Sequence, residues 1–129
     1  MSLMEHDIIK YIEAENLLGW NEKTKKDGVI LSLSGRHKIW YGYYRNSRLV
    51  GIGALMPLGK NRIRIKSIWI RPDCREQGLG AALTERLIAD CKNKTIEARV
   101  YNPQFYLLRR FKLIEQKGKV SILERQADA

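Results

Sequence analysis

The residues best placed to do chemistry are Arg75-Glu76-Gln77-Gly78-Leu79-Gly80. They stand between the apolar run 62–71 (RIRIKSIWIR), broken at Pro72-Asp73, and the amphipathic segment 77–91 (QGLGAALTERLIADC). Glycines let a backbone come close to a ligand. A helix that starts beside them has N–H groups with no partner inside the helix. Those donors and the positive end of the helix dipole attract an anion. The order of strand, glycine loop and helix start suits a pyrophosphate, and it predicts that the chain grips a nucleotide-like cofactor here. Taken alone, the same glycines also fit a tight strand-to-helix turn with nothing bound.

Two common phosphate motifs do not fit. Gly78-Leu79-Gly80-Ala81-Ala82-Leu83 half matches the G-x-G-x-x-G dinucleotide fingerprint, but Leu83 stands where a third glycine must let helix pack on strand. No Gly-Lys-Ser/Thr follows, which excludes a P-loop.

The loop has to be delivered by a sheet and a helix, and the pattern predicts both. Residues 37–45 (HKIWYGYYR) and 48–56 (RLVGIGALM) flank the turn Asn46-Ser47 and read as a hairpin. A turn over 57–61 leads to a third strand over 62–71. Over 77–91, Leu79, Leu83, Leu87 and Cys91 recur every four residues beside Ala82 and Ile88, which predicts a helix with one apolar face. Residues 95–101 (TIEARVY) alternate, with Ile96, Ala98 and Val100 on one face. Asn102 is expected to cap a short helix that has Pro103 at its first position and runs to about Arg110. Residues 112–116 and 119–125 predict a last hairpin around Lys117-Gly118. Residues 4–18 fit a helix as well as a short strand followed by a helix, and 20–36 read mostly as helix. The order predicts an α/β (α+β) chain with a mixed, mostly antiparallel central sheet flanked by helices. A length of 129 residues holds one core, so a single domain spanning 1–129 is expected.

The segment 65–88 resembles the cofactor-binding motif of the GCN5-related N-acetyltransferases (GNAT), (Arg/Gln)-x-x-Gly-x-(Gly/Ala) between a strand and a helix. The segment 105–114 (FYLLRRFKLI) is similar to that family's second signature, Leu-Tyr-Glu-Lys-Leu-Gly-Phe. Element order over 37–125 resembles the fold as well. Two departures stand out: Arg110 replaces the usual glycine before Phe111, and the helix before Tyr106 is about one turn short.

The resemblance implies an acetyl-CoA-dependent N-acetyltransferase that moves an acetyl group from the thioester to an amine by direct attack in a ternary complex. It makes 37–125 the cofactor-binding core and 1–36 a variable, substrate-facing helical region. Backbone N–H groups of Arg75, Glu76, Gln77, Gly78, Leu79, Gly80 and Ala81 would hold the pyrophosphate, with Arg75 adding charge and Asn102 also facing the cofactor. Backbone groups of Ile68, Trp69 and Ile70 would pair with the pantetheine arm like an added strand. The acetyl group would lie where strand 62–71 splays from strand 95–101, with a strand N–H holding the oxyanion. Tyr106 would protonate the departing thiolate, since a phenol with a pKa near ~10 keeps its proton at neutral pH.

The family's usual strand glutamate has no counterpart, because that strand offers Lys66 and Ser67. Glu97 on the neighbouring strand is the best-placed proton acceptor, although Arg99 and Tyr101 beside it also fit a salt-bridged face. His37 and a water chain are the other candidates. Trp40, Tyr41, Tyr43 and Tyr44 either line an acceptor pocket or face a core.

A formal charge of +10 favours anionic partners: an acidic small-molecule or protein amine acceptor, nucleic acid, or merely a solvated basic surface. The alternative to the enzyme is a catalytically inactive basic module of this fold that binds nucleic acid or an acidic protein. The missing strand carboxylate and Arg110 support that alternative, and the intact loop Arg75 to Gly80 opposes it. Cys74 and Cys91 have no metal or redox spacing, so no metal is expected and the thiols read as reduced, in a cytoplasmic protein. Cys74, beside Arg75 near a helix start, is expected to favour its thiolate mildly. No apolar run approaches a membrane span, and no n-region and h-region pair marks a signal peptide. The hairpin at 112–125 is suited to pairing across a homodimer interface.

Overall fold

In the computed structural model, which describes residues 6–128, the order of elements is set by three hairpins and one parallel crossover. Strand β2 (Ile39–Arg45) turns at Asn46 (φ 50°) and Ser47 (φ 68°) into β3 (Arg48–Pro57). Two left-handed turn residues match the right-handed twist of the strands they join. β3 pairs antiparallel with β4 (Arg62–Ile70), and β1 (Asp7–Tyr11) adds to the far side of β2. From β4 the chain passes a 3-10 turn at Pro72–Cys74 into helix α1 (Leu79–Ala89) and returns as β5 (Thr95–Val100), parallel to β4. A short helix α2 (Gln104–Leu107) leads to β6 (Lys112–Lys117) and β7 (Val120–Gln126). The seven strands lie in the order β1-β2-β3-β4-β5-β7-β6, antiparallel except at β4–β5, which makes the sheet mixed and mostly antiparallel as expected.

Each face of the sheet has its own apolar layer. Leu79, Leu83 and Leu87 of α1 pack with Val50, Ile65, Ile96 and Leu123 on one face. Leu83 and Leu87 are fully buried, each worth about 1.5–3 kcal/mol relative to exposure. On the other face Leu17, Trp20, Leu31, Trp40 and Trp69 close over Ile52 and Ala54.

The N-terminal segment is where the helical expectation fails. Only Asn21–Thr24 is α-helical in the stretch 20–36, followed by a 3-10 turn at Lys25–Asp27, and the earlier stretch resolves into β1 and a 3-10 turn at Ala14–Leu17. Residues 1–5 and 129 lie outside the described residues. The helix stops because Gly28 takes φ 79° and local side chains compete for the backbone. Thr24 Oγ1 donates to Val29 O at 2.7 Å, and Asn21 Oδ1 accepts from Leu31 N–H at 2.8 Å. The chain therefore doubles back as an irregular strap over 28–33, pinned by buried Leu31.

Candidate active site

Strand β4 carries the irregularity that opens the site. Its burial alternates from Arg62 to Ile65, then the alternation breaks at Ser67, which has φ 60°. The β3 register jumps there as well, with Ile52 opposite Trp69 but Ala54 opposite Lys66. This is a β-bulge, which bends its strand and increases local twist. On the other side β4 pairs with β5 only through Ile65 and Ala98, and beyond that rung the two strands diverge. The splay that the family resemblance implies thus has a local cause, one that no pattern of apolar residues announces.

At the end of β4 the loop forms an anion cradle. Glu76 (φ 64°) and Gly78 (φ 80°) are both left-handed, a backbone shape that turns successive N–H groups toward one point. Among the described residues the N–H groups of Glu76 through Ala81 meet no backbone carbonyl, and the first helical bond runs from Ala82 N–H to Gly78 O at 3.0 Å. Such a row of unpaired donors fits a pyrophosphate. A cleft of about 400 Å³ opens beside it, lined by Ile68, Trp69, Ile70, Cys74, Gly78 and Gly80 among others.

Side chains of the loop are less free than the sequence suggests. Arg75 donates through Nε to Ile70 O at 2.8 Å and through Nη2 to Asp27 Oδ2 at 2.7 Å. Asp27 also accepts from Trp69 Nε1 at 2.8 Å, and these bonds, Arg75 first, hold its carboxyl below the usual carboxylate range. Gln77 accepts from Arg45 Nη1 at 2.5 Å. Cys74 is buried, and burial followed by the Asp73 carboxylate pushes its thiol up, opposite to the thiolate expected.

A second cleft of about 350 Å³ fills the splay itself, bounded by Ile65 to Ile68 on β4, Arg99 to Tyr101 on β5, and Tyr106. Val29 and Ile68 line both clefts, so the two are continuous. Tyr106 reaches the splay because α2 is short and stops abruptly. Asn102 Oδ1 accepts from Gln104 N–H at 3.2 Å, so the expected cap bond forms, with Pro103 just ahead of the helix rather than at its first position. The helix ends at Leu107 rather than near Arg110, and Arg110 takes φ 68°, the conformation for which glycine is best suited. An ion pair to Asp128 at 2.9 Å steadies it there. Buried Tyr106 packs edge-on against Phe105 and Phe111, and among the described residues its hydroxyl has no hydrogen-bond partner. Burial pushes the phenol up to about 12.

Glu97 lies outside both clefts, at the hub of an arginine network. Its carboxylate accepts from Arg64 Nε and Arg99 Nε at 2.7 Å each and from Arg62 Nη2 at 3.2 Å. Burial alone would raise its pKa, but the Arg99 and Arg64 contacts outweigh it and hold it down. A carboxylate so engaged is a poor proton acceptor, which corrects the catalytic role expected for it. His37 lines a separate cleft with Arg36 and Lys38 and does not line the splay. Three of the four aromatics are structural: Trp40, Tyr41 and Tyr43 are buried, and the two tyrosines donate to Asp90 at 2.7 Å and Asp7 at 2.5 Å, whereas Tyr44 is half-buried under Lys10 and lines neither site cleft. Asp27, Val29 and Lys66 are the site residues that the pattern does not single out for these positions. The only hint of the first two is Gly28, a natural stop for a helix.

The sequence model of the "Acetyltransferase (GNAT) family" matches residues 5–112. No curated protein matches the chain. Among solved structures, the ribosomal-protein-S18-alanine N-acetyltransferase of Escherichia coli superposes with a TM-score of 0.79 at 16% identity, over 95% of each chain. An Elizabethkingia anophelis GNAT family acetyltransferase with acetyl-CoA bound gives 0.65 at 15% identity, over 95% of this chain and 99% of that one. The PaiA N-acetyltransferase of Thermoplasma acidophilum in complex with coenzyme A gives 0.68 at 15% identity, over 93% and 98%. At these identities the solved structures speak to the fold, and the sequence model speaks to the family.

Proposed function

Since the chain belongs to the GNAT acetyltransferase family, and is accordingly an N-acetyltransferase that uses acetyl-CoA, we propose how its own residues divide the work. The unpaired N–H row from Glu76 to Ala81 binds the pyrophosphate, with Arg75 adding charge once it leaves Asp27. The free edge of β4 at Ile68, Trp69 and Ile70 receives the pantetheine arm, and Asn102, next in sequence to cleft-lining Tyr101, also faces the cofactor. Acetyl-CoA supplies an acetyl group activated as a thioester. Tyr106 keeps its proton at neutral pH and gives it to the leaving thiolate. Residues 37–125 form the cofactor-binding core, and the strap faces the acceptor.

The observation that carries this reading is the continuity of the two clefts along one strand. The row of N–H donors stands at the end of β4, and the Tyr106 phenol lines the cleft at its bulge. That continuity supports catalysis over a purely docking role for a basic module. The acceptor is an amine on a small molecule or a protein, and the chain's basic balance favours an acidic one. No described helix is long and apolar enough to cross a membrane. With two free thiols, the reading puts the enzyme in the cytoplasm, and exposed edge strand β6 is the surface through which a homodimer would form.

The test is a calorimetric titration with acetyl-CoA at low and moderate salt, followed by a thiol-release assay with amines. Binding that survives moderate salt supports a backbone cradle. Nucleic-acid binding, by contrast, weakens steeply as salt rises. Absence of acetyl-CoA binding at either salt overturns the proposal.

A further inference from the structure

The splay cleft holds cations where an ammonium group is least welcome. The last paired rung of β4 and β5 is Ile65 with Ala98. The next residue on each strand is a cation, Lys66 on one lip and Arg99 on the other, and both line the cleft. No carboxylate lines it among the described residues. Arg99 donates through Nε to Glu97, and among the described residues its terminal nitrogens carry no hydrogen bond.

The surroundings deepen the imbalance. Arg62 and Arg64 precede Lys66 on β4, and Lys38 lies close enough to act on it electrostatically. Two carboxylates, Glu97 and Glu124, answer these five cations, and both are bound by arginine. Across the cleft, Tyr101 and Tyr106 contribute phenols, and the strap contributes uncharged Gly28, Val29 and Ile30. Asp27, just before the strap, is occupied by Arg75 and Trp69.

We propose that the acceptor is an amine carrying its own anionic group, a carboxylate or a phosphate, held between Lys66 and Arg99, and that these same cations keep its amino group neutral in place of a general base. This rests on the N-acetyltransferase reading above. An anion meets two cations on opposite lips of one cleft, with Arg suited to a planar, forked contact. An ammonium placed beside them is disfavoured relative to the free amine, because like charges lower its pKa. Burial lowers the pKa of Lys66 itself, and the charges of Lys38 and Arg64 lower it further, in the direction an added ammonium would feel. The neutral nitrogen then attacks the thioester carbonyl. A C–N bond forms and the C–S bond breaks, the thiolate takes the Tyr106 proton, and the proton lost by nitrogen restores the phenol through solvent.

The test compares amines that differ only in the anion, an α-amino acid against its amide and phosphoethanolamine against ethanolamine, by thiol release with acetyl-CoA. At least one anionic member should exceed its neutral partner about tenfold in kcat/KM, the worth of one charge-assisted contact. Which pair shows it identifies the anion. Lys66→Gln should erase the preference through KM and move the acidic limb of the kcat–pH profile to higher pH, while Lys66→Arg restores both in part. Acetyl-CoA affinity, measured by calorimetry, should be the same in all three proteins. Neutral amines as good as anionic ones, or an unchanged preference in Lys66→Gln, overturns the inference while the acetyltransferase reading stands. No turnover of any probe while acetyl-CoA binds also overturns it. Failure of the wild-type protein to bind acetyl-CoA overturns that reading, and this inference with it.

Discussion

Arg75 Nη2 donates to Asp27 Oδ2 at 2.7 Å, so the guanidinium at the head of the phosphate loop is already engaged by a carboxylate of the same chain. Both side chains are about two-fifths exposed, at 39% and 40%. Water competes for such a pair, and a phosphate can displace Asp27 from it. Asp27→Asn should therefore raise acetyl-CoA affinity several-fold, and Arg75→Ala should lower it about tenfold. In the double variant the gain from Asp27→Asn should vanish, because the two effects pass through one contact. Calorimetry on the four proteins checks this. A gain that persists without Arg75 would mean that Asp27 acts only as a repelling charge. Trp69, whose indole N–H also binds Asp27, offers a fluorescence signal of the same exchange.

Gly78 sits at φ 80° within the N–H row. Any side chain there costs roughly 1–2 kcal/mol of backbone strain, and a carboxylate would also fill the anion site. Gly78→Asp should abolish acetyl-CoA binding while keeping the fold. Gly78→Asn bears similar strain without the charge and should bind measurably. Equal loss in the two variants would make strain, not charge, the cause.

Tyr106 separates packing from chemistry. Its ring lies 5.3 Å from Phe105 and 5.1 Å from Phe111, and Phe preserves both contacts. Among the described residues the hydroxyl has no hydrogen-bond partner to lose. Tyr106→Phe should leave stability within about 0.5 kcal/mol and acetyl-CoA affinity unchanged, and lower kcat by on the order of 10²-fold. Unchanged kcat would remove Tyr106 from the reaction.

The parts of this molecule that were legible in its sequence are those governed by local pattern. The helix over Leu79–Ala89 follows its apolar repeat, and the turn at Asn46-Ser47 and the glycine loop follow their residue types. Other features depend on partners distant in sequence. The bulge at Ser67 answers Gly53 on another strand, and no β propensity marks it. Residues 20–36 look helical by composition, yet Asn21 and Thr24 spend their side chains on Leu31 and Val29, and the helix loses to a strap. Glu97 looked available because the arginines around it come from β4 as well as from its own strand. The second signature's missing glycine was visible at Arg110, whereas the left-handed conformation that Arg110 adopts was not.

Stability should fall on the alkaline side. Burial pushes Tyr43, Tyr106 and the Cys91 thiol each up to about 12, aided at Tyr43 by Asp7 and at Cys91 by Asp90. Tyr41 is raised as well, by burial and then its bond to Asp90. A group whose folded pKa lies above its unfolded value holds its proton better in the native state. Its contribution is complete below the unfolded pKa, near ~8.5 for Cys and ~10 for Tyr, and is lost as pH rises through the folded value. The urea midpoint should therefore be flat from pH 7 to 8 and decline progressively above about pH 9. Tyr43→Phe should make that decline shallower. A midpoint that stays constant to pH 11 would contradict the burial of these groups.

The bulge itself can be tested through Gly53. A Cβ on Gly53 would lie 2.6 Å from Ile68 Cδ1, the far end of a flexible side chain, with Leu83 and Leu87 at 3.5 Å beyond. The backbone can stay and Ile68 must move. Ile68 lines both clefts, so its displacement narrows the passage from the phosphate cradle to the splay. Gly53→Ala should cost roughly 1–3 kcal/mol of stability and weaken acetyl-CoA binding markedly. Ile68→Val removes the clashing methyl, so the double variant should recover most of that affinity. If the single variant binds normally, the pantetheine arm does not run past Ile68. If the double variant stays weak, the strain lies in the bulge backbone rather than in the side chain.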